Sequence, residues 1–518
     1  MVRVTAKVAI GVLVGLVLLC LPAAAPAAKH CDVPVAGPQG WERATPEQAG
    51  LDAAAVADAM DYGTSQASFA IRVYRHGCLV AEDALAGSNK TAQYESWSMA
   101  KSITSLVFGR AMSLGLISPD DPVGSLVPEA DEAHGRITVR DLLTMTSGLR
   151  WNGLRDYNIF MPDRVRDALV TPVVREPGTY WEYSQSGPAL LAESVQRAVG
   201  EDFQAFAQRE LFGPIGITPG SWGWTRDSVG HTQGFFGVQM VPDDYARLGE
   251  LMRRGGVWSG RRLLSKRYVR QAVRPIDASG CYGWLIWLNK AQPCVGVRIS
   301  DRPVRDHRRF PEAPADAFFY SGLFGQLVTV FPTQGIVIQR NGQDASVAGG
   351  ADWEAELYRR ILGAITDEPF TPPADAPPSG TVDRSDPDQG FQTALAEPDQ
   401  VLAPGTQTEL PPAGPARARA LVIASATTRA TRRGVVRLRV SCPPQWPGAP
   451  GAGRCAGDVR LAGARRRAPV RLAAGASKRL RFRMGGRARG ARRVVAVLRD
   501  GAGGTRSART VRVRRARR

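Results

Sequence analysis

Ser98 stands three residues before Lys101 in the stretch YESWSMAKSITSLVFGRAM, where an apolar run begins. Positions i and i+3 of a helix are neighbours, with Cβ atoms about 5–6 Å apart. A lysine held there out of water sheds its proton more readily, because burial penalises the charged form. It can then act as a base toward the hydroxyl. A serine in the first turn also brings its own N–H, and the positive end of the helix dipole, to where an oxyanion would form. Taken alone, the spacing is a short motif of the kind that recurs by chance, and the bland alternative is a helix start with a surface lysine. Two further segments keep it company. Tyr183, in PGTYWEYSQSGPALLAESVQRAVG, sits just ahead of a helical pattern. It is a second proton handler if aimed at the pair, with its phenolate favoured by a nearby cation, and a packing aromatic if not. In YSGLFGQLVTVF, Gly322 and Gly325 stand at the entry to a strand. Glycines there let backbone approach a ligand and leave an N–H for an oxyanion, or simply make a bulge or tight turn.

Periodicity supplies the elements that must carry these groups. Helical spacing predicts Ser98–Leu114, Val139–Met145, Gly187–Val199, Phe203–Phe212 and Pro242–Arg254, with a short early helix ended by Gly63 and a late one in DWEAELYRRILGAI. FAIRVYR and CLVAEDA read as strands joined at His76-Gly77, and QLVTVF and GIVIQRNG as a hairpin around Pro332–Gln334. Strands at both ends of a helical middle imply an α/β (α+β) unit: a central antiparallel sheet flanked by helices, with a helical subdomain and a cleft between them.

The chain has 518 residues, too many for one compact core. Residues 1–28 read as a signal peptide: Arg3 and Lys7, then an apolar run too short for a membrane span, then AAAPAA. Residues 29–367 read as the globular unit, 368–415 as a Pro/Asp-rich linker, and 416–518 as a basic module. From Pro415 onward there are 29 Lys/Arg against two acids, a net of +27. Since the whole chain carries +19, about −8 remains for the rest, an ordinary value for a globular domain. Export through a signal peptide would put Cys31, Cys78, Cys281, Cys294, Cys442 and Cys455 in an oxidising compartment. The simplest pairing there is sequential, although other connectivities stay open. The five histidines are scattered singly and no Cys/His cluster has zinc spacing, so neither metal nor cofactor is expected. A Gly-x-Ser-x-Gly elbow and Gly-rich phosphate loops are absent.

Taken in order, SWSMAKSITSLVFGRAMSLGLI, ITVRDLLTMTSGLRW, EPGTYWEYSQSGPALLAESVQRAVG, RELFGPIGI, PDDYARLGELMRRGGVWSGRRLLS and YGWLIW resemble the class C β-lactamase-like serine hydrolases of the penicillin-recognising fold, from about Trp41 to Ile365. The run Gly322-Leu323-Phe324-Gly325-Gln326 is most similar to the branch of 6-aminohexanoate-dimer hydrolases and esterases. The resemblance implies that Ser98 is the acylated nucleophile, Lys101 its base partner and Tyr183 the acid/base at the leaving group. It implies an oxyanion hole of the Ser98 and Leu323 N–H groups, and substrate contacts at Gln185, Tyr320, Gly322 and Gln326. Three positions depart from the family. Gln185 replaces the Asn of Tyr-x-Asn, and Met145 a common His. Tyr320-Ser321-Gly322 lacks the Lys or His of the third motif. Losing that cation removes a charge-assisted contact worth about 1.5–3 kcal/mol to a substrate carboxylate. True β-lactamase or D-peptidase activity is thereby disfavoured against neutral or positively charged esters and small amides. Specificity is expected from the loops Asn152–Val174 and Val295–Ala317. The rival to an enzyme is a catalytically silent penicillin-fold protein used for binding or scaffolding.

The basic module alternates with period two in VVRLRVSC, KRLRFRM and RTVRVRR, and resembles a small C-terminal all-β immunoglobulin-like sandwich. Its charge suits an anionic cell-wall polymer. Only Trp446 and Phe482 could stack on bases, so no sequence-specific nucleic acid is expected. Contact with a membrane is expected only through the signal peptide before cleavage, and the finished protein is expected to be secreted or held at the cell envelope.

Overall fold

The computed structural model describes residues 27–34, 40–88, 90–298, 302–343, 351–374, 376–378 and 383–386, together with strands between 422 and 514. Asp52 opens the first long helix, α1 (Ala53–Ser65), by accepting the Ala55 N–H. That helix runs through Gly63, not to it: a Cβ at Gly63 would fall 2.5 Å from Ile71 Cδ1, so the glycine serves close packing on the sheet. Next come β1 (Ser68–Arg75) and β2 (Cys78–Glu82), then the helix α2 (Met99–Ser113). A stretch of short helices leads to α3 (Ser186–Val199) and α4 (Pro242–Arg253). The chain returns to the sheet through β3 (Trp287–Leu288), β4 (Phe318–Gly322), β5 (Gln326–Phe331) and β6 (Ile336–Gly342), and ends the unit with α5 (Ala351–Gly363).

The six strands are antiparallel in the order β2-β1-β6-β5-β4-β3, so the first strands of the chain are completed by the last. Register and the two-residue period assign the faces. Val73 pairs with Ile338 and Thr329 with Ile338, and the Thr329 hydroxyl meets the Tyr358 hydroxyl of α5 at 2.8 Å. Tyr74, Val337, Val330 and Val328 face the other way, toward α4. There a Cβ on Gly249 would come within 2.6 Å of Val328. β5 and β6 are buried along their whole length, because helices cover both sides. Each such Val or Ile contributes roughly 1.5–3 kcal/mol relative to exposure. The sheet is a rigid back wall against which α2 packs.

Disulfides join Cys31 to Cys78 and Cys281 to Cys294, two of the three sequential pairs expected. The Cys442–Cys455 pairing and the signal segment lie outside the described residues. Within the proline-rich stretch, Arg384–Asp386 pairs with Arg302–Arg305, adding a strand by backbone bonds where apolar burial is scarce. In the basic module Val422–Ile423, Val435–Ser441 and Ser477–Arg483 make one sheet. Five further strands between Thr427 and Arg514 make another. Among the described residues no helix is long and apolar enough to cross a membrane, and no group of three or more His, Cys, Asp or Glu could hold a metal ion.

Candidate active site

Ser98 sits at the tip of a strained turn. Tyr94–Glu95 pairs with Val238–Met240, and the next residues must reverse into α2. Trp97 does this with φ +46°, a left-handed conformation that costs a bulky residue energy and persists only where neighbours enforce it. Glu95 is one enforcer, since its Oε1 accepts the Trp97 N–H at 3.1 Å and the Gly237 N–H at 2.8 Å. The Ser96 hydroxyl bridges the same two segments by accepting the Val238 N–H. Serine at a helix N-cap ordinarily accepts an N–H of the first turn. Ser98 occupies the N-cap of α2 but makes no such bond. Its oxygen instead accepts from Lys101 Nζ at 3.1 Å, and it stands close enough to the Tyr183 phenol to oppose the rise that burial causes there.

Lys101 is 1% exposed, within a helix whose residues 99–111 are all buried. Its ammonium group donates to Ser98 Oγ, to Gln185 Oε1 at 2.6 Å and to the Phe235 carbonyl at 3.3 Å, and lies 4.5 Å from the Tyr183 ring centroid. All three acceptors are neutral. Burial therefore pushes the amine well below its ordinary value, with Arg164 pushing the same way and Asp156 partly opposing. Tyr183 is held by a cage of rings, including Trp287 stacked on it at 6.0 Å, Tyr282 and Trp181. Burial raises its phenol, so the phenolate that a nearby cation would favour is not the resting form. Site and surroundings favour a neutral amine beside a neutral phenol.

Two of the expected substrate contacts turn away from the cleft. Tyr320 is fully buried with its hydroxyl toward the Leu248 carbonyl of α4. Strand alternation gives the cleft side to Ser321. Gln326 is buried too. Its amide nitrogen donates to the carbonyls of Leu323, Phe324 and Gly342, while Oε1 accepts from Asn341 and the Gly342 N–H. It pins the Leu323–Gly325 turn and has no donor left to offer a ligand. Gln185 is the partner of Lys101, its carboxamide oxygen accepting from the amine at 2.6 Å. At Gly322 a Cβ would lie 2.2 Å from the Ser96 carbonyl, so only glycine lets the sheet edge close against the Ser96–Ser98 turn. Leu323 follows directly, with Phe324 at φ +62° packed edge-on to Trp97 at 5.3 Å.

Asp156 was not legible as a site residue. It is 3% exposed and accepts the N–H of Gln185 at 2.9 Å and of Asn152 at 3.2 Å. Burial raises its carboxyl to about 6 against those two bonds and the Arg164 charge. Glu95 and Phe235 were equally silent, since Glu95 acts on the Trp97 and Gly237 N–H groups and Phe235 offers Lys101 only its main-chain carbonyl. Met145, in place of a family His, is buried with φ +59°, and its carbonyl accepts the Glu182 N–H next to Tyr183.

A family profile described as Beta-lactamase matches residues 53–360, and the chain belongs to that family. Monacolin J acid methylbutanoyltransferase of Aspergillus terreus is 26% identical over 213 residues, which are 36% of this chain and 47% of that protein. Lovastatin esterase of Penicillium rubens is 28% identical over 191 residues, 31% of this chain and 46% of the other. The chain thus spans about half the length of the curated relatives it matches. A Bacillus anthracis structure provisionally described as a 6-aminohexanoate-dimer hydrolase shares the fold at TM-score 0.50 and 16% identity, covering 66% of this chain and 92% of its own.

Proposed function

We propose that the protein is a secreted serine hydrolase that cleaves an ester or small amide through an acyl-enzyme on Ser98. The observation that carries this reading is the Lys101 amine, fully buried, bonded only to neutral acceptors, and 3.1 Å from a serine hydroxyl that caps nothing. Neutral Lys101 takes the Ser98 proton as Oγ attacks the substrate carbonyl. The Ser98 and Leu323 N–H groups, at a helix start and a pinned turn, receive the developing oxyanion. The bond to the leaving group breaks as Tyr183 donates its proton to that group and recovers one from Lys101. Water then adds to the acyl carbon by the same relay, releasing the acid and restoring Ser98.

The replacement of the third-motif cation by Tyr320 argues against carboxylate-bearing β-lactams and peptides, and relatives named as an esterase and an acyltransferase support ester chemistry. The disulfides are compatible with export. In the same reading the basic module, as an immunoglobulin-like sandwich, holds the enzyme at an anionic wall polymer. The test is stoichiometric labelling of Ser98 by a fluorophosphonate, with turnover of short-chain esters, both lost in Ser98→Ala while the fold is kept. Labelling that persists in Ser98→Ala refutes the assignment.

A further inference from the structure

The segment WNGLRDYNIFMP, from Trp151 to Pro162, is a surface loop with its polarity reversed. Its charged groups turn inward. Asp156 is buried against Gln185, Arg155 bonds Asp167 at 2.6 Å, and Arg164 beneath the loop donates to the Arg155 and Asn158 carbonyls. Its apolar groups turn outward: Leu154 is 46% exposed, Tyr157 41% and Phe160 85%. Ordinary surface loops do the opposite, and contiguous exposed apolar groups mark a binding surface. The exposure is held in place by these inward bonds and by the Tyr157 hydroxyl donating to the Arg298 carbonyl at 2.7 Å.

The position of the loop gives the exposed groups a purpose. Through Asp156 it is fastened to Gln185, two residues from Tyr183 and itself bonded to Lys101, so it stands beside the Ser98 group. Across the nucleophile, Leu323 is 41% exposed beside Phe324 and Trp97, on a turn fixed by Gln326. Tyr320, turned into the core, stands at the position where the family's third motif carries a Lys or His, so that motif offers no cation to a substrate.

We propose that the cleft selects substrates carrying a bulky apolar group, held between the 151–162 loop and the Leu323–Phe324 turn. This rests on the hydrolase reading above and names the substrate class for it. Each methylene buried against such walls multiplies kcat/KM by about threefold to fourfold.

The test uses the full chain with p-nitrophenyl esters of two, four, six and eight acyl carbons, without detergent. The expected result is a rise of at least tenfold in kcat/KM from the acetate to the hexanoate. In Leu154→Ser/Phe160→Ser the rise flattens while acetate turnover stays within twofold. Because both side chains face solvent, the double variant keeps its fold, checked by an unchanged Tm. A flat series in the parent protein, or an undiminished slope in the double variant, overturns the proposal. A flat series together with phosphatidylcholine-vesicle binding that the double variant loses would give the loop to lipid and also overturn it. Failure to turn over any ester, with Ser98 unlabelled, removes the hydrolase reading itself and this inference with it.

Discussion

Arg75 and Lys101 are buried to nearly the same degree, 2% and 1% exposed, yet their surroundings could hardly differ more. Arg75, at the end of β1, meets the Asp367 carboxylate at 2.6 Å and the carbonyls of Ala49 and Gly50 at 2.6 Å each. Burial alone would raise the Asp367 carboxyl, but the Arg75 hydrogen bond, the Glu368 N–H and the Arg75 charge together bring it below its ordinary value. That corner is built to keep a charge and tie the end of the unit to its beginning. The corner at the start of α2 surrounds its cation with an alcohol, a carboxamide, a carbonyl and a phenol ring. It is built to shed a charge. Paired buried charge stabilises a fold when its partners are complete, and unpaired buried charge is costly, so its retention points to chemistry.

The sharpest way to break this contrast is Lys101→Met, which keeps the bulk and removes the amine. Turnover should fall by about a thousandfold or more, as for a residue acting as one unit with its nucleophile. Stability should move the other way. The folded-state value of Lys101 lies below its unfolded value, so between the two the unfolded chain holds a proton the native state lacks. Native stability therefore rises with pH across that window, because folding there expels a proton. Lys101→Met removes that cost, so Tm at pH 7 should rise and its pH dependence flatten. A variant that is both inactive and strongly destabilised would show that Lys101 is charged and structural.

Asp367→Ala tests the other corner. It strands Arg75 without its carboxylate and should cost about 3 kcal/mol, the lower end for one partner removed from a buried pair. The folded fraction should keep the parental kcat. The Asp367 carboxyl titrates lower when folded than when unfolded, so its contribution is present above the ordinary carboxylate range. It is lost as pH falls through the depressed value, and acid unfolding of the parent and variant should converge there. Loss of kcat without loss of Tm would erase the distinction between the two corners.

What could be read in advance follows the same division. The sheet declares itself through alternating apolar strands at both ends of the domain, because period-two burial is local in sequence. Ser98 and Lys101 were visible because one helical turn fixes their distance, and Tyr183 because it precedes a clear helix. Tyr320 and Gln326 were expected from motif position to meet substrate, but their direction is decided by strand parity, which gives the cleft side to Ser321, and by the buried amide bonds of Gln326. Asp156 could not be found at all. It reaches the site through a main-chain N–H 29 residues away, and no side-chain pattern encodes such a bond.

Asp156 also gives the finest probe of the charge-shedding corner. Its carboxyl, raised to about 6 by burial, is ionised at pH 7 and there favours the protonated form of Lys101. Asp156→Asn withdraws that negative charge while an amide oxygen can still accept the Gln185 N–H. Arg164, which disfavours the protonated amine, then acts unopposed. The base becomes free at lower pH, so the acid limb of kcat/KM should move to lower pH, with kcat on the plateau little changed. Gln185→Ala, which leaves the charge and removes the carboxamide, should instead lower the plateau, because the amine loses its 2.6 Å partner and its aim at Ser98. If Asp156→Asn lowers the plateau and leaves the limb in place, Asp156 only shapes the loop, and the electrostatic tuning of Lys101 resides entirely in burial.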